Sequence, residues 1–181
     1  MAFALGLAGR IGSGKTSLSA ELSVRLDCPR ASFGDFVRTV AEQRGLDAGS
    51  RDVLQALGDE LIAEGWEPFC RGVLALAGYE SGAVVIDGIR HHEAAATLRR
   101  ILSPVQLYVV GVSSPDEDRL LRLADRGLTL DEVRRADLHS NEGEVLGVLG
   151  MADVVVDRRS SPAEAADAVI AWVAGRDVHS P

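Results

Sequence analysis

The chain has 181 residues, 46% of them hydrophobic and 25% charged, a composition that excludes general disorder and lets one domain bury roughly 70% of its extended surface. Its formal net charge of −8 repels polyanions, so no nucleic acid polymer is expected as a partner. Cys28 and Cys70 are its two cysteines, too few and too isolated for a disulfide framework or a zinc centre.

The first predicted strand, Phe3–Ala8, is apolar but has no basic region before it, and no stretch approaches the ~18 apolar residues of a membrane span. The expected location is therefore cytoplasmic, with no membrane partner. A helix over Lys15–Leu26 follows, with Leu18, Leu22, Val24 and Leu26 marking its inner face. A weaker strand, Arg30–Phe33, leads into helices over Asp35–Arg44, Arg51–Ala63 and Glu67–Ala77. Next come strand Val84–Ile86, helix His92–Leu102, strand Val105–Val110 and helix Pro115–Arg126. Helices Leu130–Leu138 and Glu142–Leu149, strand Val154–Val156 and helix Pro162–Ala174 complete the chain. All strands but the weak second one are continuous apolar runs, the pattern of strands covered on both faces. This alternation predicts an α/β fold with a parallel sheet in a single domain, without repeats or linkers. Residues 34–80 and 127–149 exceed a simple crossover and are expected to form lobes that close over a ligand.

Gly9-Arg10-Ile11-Gly12-Ser13-Gly14-Lys15-Thr16 fits G-x-x-x-x-G-K-[ST] and stands between a strand and a helix. Glycines let successive N–H groups converge on a phosphate at a helix N-terminus. Lys15 then reaches the outer phosphates, Thr16 is a Mg²⁺ ligand, and Ser17 lies beside it in the first turn. Of the 19 Lys and Arg residues, Lys15 alone is a lysine, which suits a site needing a compact, rotatable charge.

Asp87, at the end of Val84-Val85-Ile86, falls in the crevice where α/β folds bind ligands. It can hold the Mg²⁺ shell or orient Thr16; the plainer reading is a cap for the helix at His92. Asp35 follows the second strand and can accept a proton from a substrate hydroxyl, with Arg38 one turn on for a substrate phosphate. A simple N-cap with a solvated arginine would look similar. Arg119, Arg122 and Arg126 share one helix face, where a transferring phosphoryl group would relieve their repulsion. The alternative is a solvated face neutralised by Asp116, Glu117 and Asp118.

Together the phosphate loop, Gly34-Asp35-x-x-Arg38, Asp87-Gly88-x-Arg90 and Arg122-x-x-x-Arg126 resemble the P-loop small-molecule kinases, in particular nucleoside monophosphate kinases and dephospho-coenzyme A kinases. The chain departs from the monophosphate kinases in lacking a proline before Arg90, and its lid is short. The resemblance implies a three-layer α/β/α P-loop fold with a five-stranded parallel sheet of order 2-3-1-4-5. The core would comprise residues 1–33, 81–126 and 150–175, with a helical substrate-binding lobe at about 34–80 and a lid at about 127–149. It also implies ATP and Mg²⁺, with Arg38 and Arg90 on the acceptor's phosphate, Arg122 near the adenine, and Arg126 on the transferring phosphoryl. Asp35 matches the acidic residue facing the acceptor hydroxyl in dephospho-coenzyme A kinases. Arg51, Gln55 and Trp66 are candidates for base or sugar recognition, Trp66 fitting a core position better. His91 and His92 read as a solvated helix start.

The expected function is ATP-dependent phosphoryl transfer to a small nucleotide-like acceptor, first of all a nucleoside monophosphate. The alternatives are a dephospho-coenzyme A-like or other metabolite acceptor, or an NTPase controlled by a protein partner.

Overall fold

Strands β1 (Phe3–Ala8), β2 (Arg30–Ser32), β3 (Val84–Ile89), β4 (Gln106–Ser113) and β5 (Val154–Asp157) pair in parallel in the order β2-β3-β1-β4-β5. The coordinates are a computed structural model that describes residues 2–125, 127, 129 and 142–177. Residues of the central strand alternate between two layers. Leu5 and Leu7 join Val85, Val110 and Val112 beneath helices α1 (Lys15–Leu26) and α8 (Pro162–Asp177). Ala4 and Ala8 join Ile86 and Val109 on the other face, under α2 (Phe33–Gln43), α4 (Trp66–Leu76) and α5 (His92–Leu102). Covering both faces explains why β1 reads as a continuous apolar run; each fully buried leucine there is worth roughly 2–3 kcal/mol.

Several strand ends differ from expectation: β4 runs to Ser113 instead of Val110 and β5 to Asp157 instead of Val156, and β2 and β3 differ at the site. Phe33 does not continue β2. Ser32 Oγ accepts the Asp35 N–H at 3.2 Å and caps α2, so the helix starts at Phe33 rather than Asp35. The Phe33 ring is buried from the helix and lies edge-on to Phe69, with centroids 5.1 Å apart. Strand β3 runs three residues past its predicted end. Gly88, at φ +92°, forms a bulge against β1, so that Leu7 pairs with Asp87 and Ala8 with Ile89.

Residues 34–80 form α2, α3 (Arg51–Glu64) and α4, with Val37, Leu57 and Cys70 in one core cluster. Helix α6 (Asp116–Ala124) follows β4 and starts on three acidic residues, favourable at a helix N-terminus. Helix α7 (Glu142–Gly150), at the far end of the expected lid, buries Val145 and Val148 in the body. The other expected lid helix, Leu130–Leu138, lies outside the described residues. No described helix is long and apolar enough to cross a membrane.

Candidate active site

Residues 9–14 turn from the carboxyl end of β1 into α1. Gly12 and Gly14 adopt φ +75° and +91°, conformations costly for any residue with a Cβ. Space enforces the same choice at Gly12, where a Cβ would lie 2.7 Å from Leu123 Cγ, because α6 packs directly on the loop. No side chain caps α1 at Gly14, leaving its N-terminal amides and dipole for an anion. Lys15 folds back over the loop, donating to Gly9 O at 2.6 Å and Arg10 O at 2.8 Å, with Ser13 Oγ at 3.5 Å. Thr16 and Ser17 are exposed in the first turn of α1.

The α6 arginines are not a solvated face. Arg119 is 3% exposed; it donates to Asp116 Oδ1 at 3.2 Å and to Ile11 O at 3.3 Å. Arg10 holds the same Asp116 oxygen at 2.8 Å, so one carboxylate ties the loop to α6. Arg122 donates to Gly12 O at 3.2 Å, Ser114 Oγ at 2.9 Å and Arg158 O at 2.9 Å, against the loop backbone. Arg126 lies outside the described residues. A cavity of about 360 Å³ opens beside this assembly, lined by Arg10, Ser13, Ser114, Asp116 and Arg119 among others.

Neither Asp87 nor Asp35 is a helix cap. His91 occupies the N-cap of α5, without a side-chain capping bond, and Ser32 fills that place on α2. Asp87, 5% exposed, is held instead by Arg30, a residue that sequence reasoning did not single out. Arg30 Nη2 reaches Asp87 Oδ2 at 2.8 Å, Nη1 reaches Asp35 Oδ2 at 3.1 Å, and Nε reaches Ser19 Oγ at 2.7 Å. Its position at the start of a weak strand carries no motif; only the pairing of Arg30 with Val85 across to β3 reveals the role. Asp35 remains half exposed and also accepts from Arg38 Nη1 at 3.1 Å. Asp87 and Thr16 offer the hard oxygen donors that Mg²⁺ takes, and Arg30 occupies one of the two Asp87 oxygens.

Arg90 follows β3 and has Arg51, the first residue of α3, as its charged neighbour. Its side chain reaches solvent, with protein close around it. That crowding and the Arg51 charge pull its pKa below the usual arginine value, with Asp87 opposing. Neither arginine is ion-paired among the described residues. Gln55 is exposed one turn beyond Arg51. Trp66 belongs to the core edge, stacked on Phe69 at 6.2 Å.

The histidines correct the expectation of a solvated helix start. His91 is half-buried beside Trp66, with ring centroids 5.0 Å apart, and its Nδ1 contacts Glu144 Oε2 on α7. His92 packs where a Cβ at Gly147 would be. His91, Glu93 and Glu144 bring one ligating atom each within 4.8 Å of one another, and the His91–Glu144 contact joins α7 to the end of β3.

The loop, sheet order and helix layers together define a P-loop kinase-like fold. Residues 5–147 match the family AAA_18, described as AAA domain. UPF0200 protein TK1334 of Thermococcus kodakarensis is 30% identical over 168 residues, covering 86% of this chain and 88% of that protein. UPF0200 protein PH1008 of Pyrococcus horikoshii is 29% identical, with 83% and 84% covered. The chain belongs to this AAA domain family and to the UPF0200 proteins. Among solved structures, TT1252 from Thermus thermophilus superposes with a TM-score of 0.67 at 20% identity, covering 96% of this chain and 97% of that one. Shikimate kinase from Aquifex aeolicus gives 0.60 at 18% identity, with 98% and 100% covered. These likenesses establish the P-loop small-molecule kinase fold.

Proposed function

We propose that the protein is an ATP- and Mg²⁺-dependent kinase that phosphorylates a small anionic acceptor, with a nucleoside monophosphate as the first candidate. The observation that carries this reading is a pair of neighbouring cations, Arg90 and Arg51, without an ion-pair partner among the described residues, at the end of the strand next to the one that leads into the phosphate loop. Phosphoryl transfer is mostly positioning and charge neutralisation, which requires both features.

In this reading the loop amides and Gly9, Gly12, Ser13, Gly14 and Ser17 cradle the nucleotide, and Lys15 exchanges its bonds to Gly9 O and Arg10 O for phosphate oxygens. Thr16 and Asp87 hold Mg²⁺, which when bound offsets phosphate charge. Arg122 lies toward the adenine and Arg126 on the transferring group. Arg90 and Arg51 take the acceptor's anionic group, with Arg38 and Gln55 at its rim. Residues 34–80 serve as the substrate lobe and 127–149 as the lid, whose far end α7 anchors through Val148. Such an enzyme works on cytoplasmic metabolites.

Asp35 favours a second reading. Its carboxylate, half exposed and fixed by Arg30 and Arg38, is suited to take a proton from a hydroxyl. A phosphate acceptor has no such need, whereas an acceptor resembling shikimate or dephospho-coenzyme A does.

The test is coupled ADP release with ATP and Mg²⁺ against nucleoside monophosphates, deoxynucleotides, shikimate and dephospho-coenzyme A. One acceptor raising the rate well above background supports the kinase and names its class. Slow hydrolysis that requires Lys15 but no acceptor would replace it with a partner-controlled NTPase.

A further inference from the structure

One buried cation has no part in the scheme above. Arg158, the first residue after β5, is 6% exposed and forms no ion pair among the described residues. Nη1 donates to Ser160 O at 3.1 Å, while Nε is sealed from solvent and has no hydrogen-bond partner. The guanidinium lies on the phosphate loop: a Cβ at Gly14 would stand 2.7 Å from Nε and 3.2 Å from Nη2. Burial, then the nearby Arg122 charge, lowers the Arg158 pKa.

A desolvated guanidinium with an unused donor and a like-charged neighbour is costly. The adjacent carboxylate, Asp157, is engaged by Arg159 Nε at 2.7 Å and offers no relief. The uncapped N-terminus of α1 at Gly14 adds positive potential at the same point. The missing partner is therefore an anion. Topology selects which one: β5 lies at the opposite edge of the sheet from β2, whereas Asp35 and Arg90 follow β2 and β3 on the other side of β1.

We propose that Arg158 binds the phosphate chain of the nucleotide seated on the loop, as a cation outside the loop motif that completes its donor set. The proposal rests on the nucleotide-binding reading above. Binding sets an anionic acceptor beside the guanidinium and offsets the Arg122–Arg158 repulsion.

Calorimetric titration with MgADP and with pyrophosphate, on wild type, Arg158→Met and Arg158→Lys, tests this. The Met variant should weaken both ligands by about 10- to 100-fold, and the Lys variant should recover part of the loss. The unliganded Met variant should melt at the same temperature or about 2–4 °C higher, because an unsatisfied buried charge is gone; a purely structural arginine would lower it. ADP and pyrophosphate affinities within twofold of wild type would overturn the proposal, as would loss of ADP binding with pyrophosphate unaffected, which marks a base contact. Wild type that binds neither ligand would overturn the nucleotide reading itself, and Arg158 with it.

Discussion

On the β2–β3 side of the site, Arg30 and Arg38 bind the carboxylates of Asp35 and Asp87. On the α6–β5 side, the partners of Arg122 and Arg158 among the described residues are carbonyl and hydroxyl oxygens. A carboxylate cancels an arginine's charge, whereas a carbonyl satisfies its N–H groups and leaves the charge in place. The first side thus uses arginine as a clamp that fixes two acids. The second stores positive potential beside an uncapped helix N-terminus. Arg51 and Arg90 set a further pair of like charges side by side within the first side.

That contrast can be broken in steps. Lys15→Met should cut turnover by about 10³-fold in a variant whose circular dichroism and melting temperature match wild type; retained turnover would reduce Lys15 to a loop brace. Asp35→Asn should cost about 10²-fold in kcat with a hydroxyl acceptor and little with a phosphate acceptor, so kinetics with both classes choose between the two readings. Arg90→Met should raise the acceptor KM about tenfold and leave the ATP KM unchanged; equal effects on both would merge the two sides. Arg30→Met leaves the buried Asp87 unpaired, and urea unfolding should show a loss of about 3 kcal/mol, opposite in sign to Arg158→Met. Glu67, away from both sides, is the control. Hydrogen bonds from Arg100 and then Arg71 hold its carboxyl below the usual glutamate value. Its contribution is present above that value and is lost as pH falls through the lower folded value. The difference in urea midpoint between wild type and Glu67→Gln should therefore narrow toward pH 3.

The parts legible in the sequence are those whose geometry demands particular residue types. Gly12 and Gly14 are required by positive φ, and Leu5 and Leu7 by a sheet covered on both sides. Arg30 and Arg158 were not legible. Each acts across strands, at a position where arginine satisfies no local rule, and only the order β2-β3-β1-β4-β5 brings it to the site. Phe33 misled for the opposite reason: an apolar residue after a strand looks like more strand until Ser32 caps the helix. His91 and His92 are polar and follow a strand, yet α7, 50 residues onward, covers them.

The bulge at Gly88 changes how distance along β3 should be counted. Asp87 and Arg90 are three residues apart, an odd spacing that in a regular strand sends side chains to opposite faces. Because the ladder passes from Asp87 directly to Ile89, Arg90 comes two structural steps after Asp87 instead of three. Gly88 is the residue that the ladder skips. Removing it should therefore disturb the site less than replacing it with valine, whose branched side chain resists φ +92°. At this point of the chain a deletion is the conservative change and a substitution the radical one.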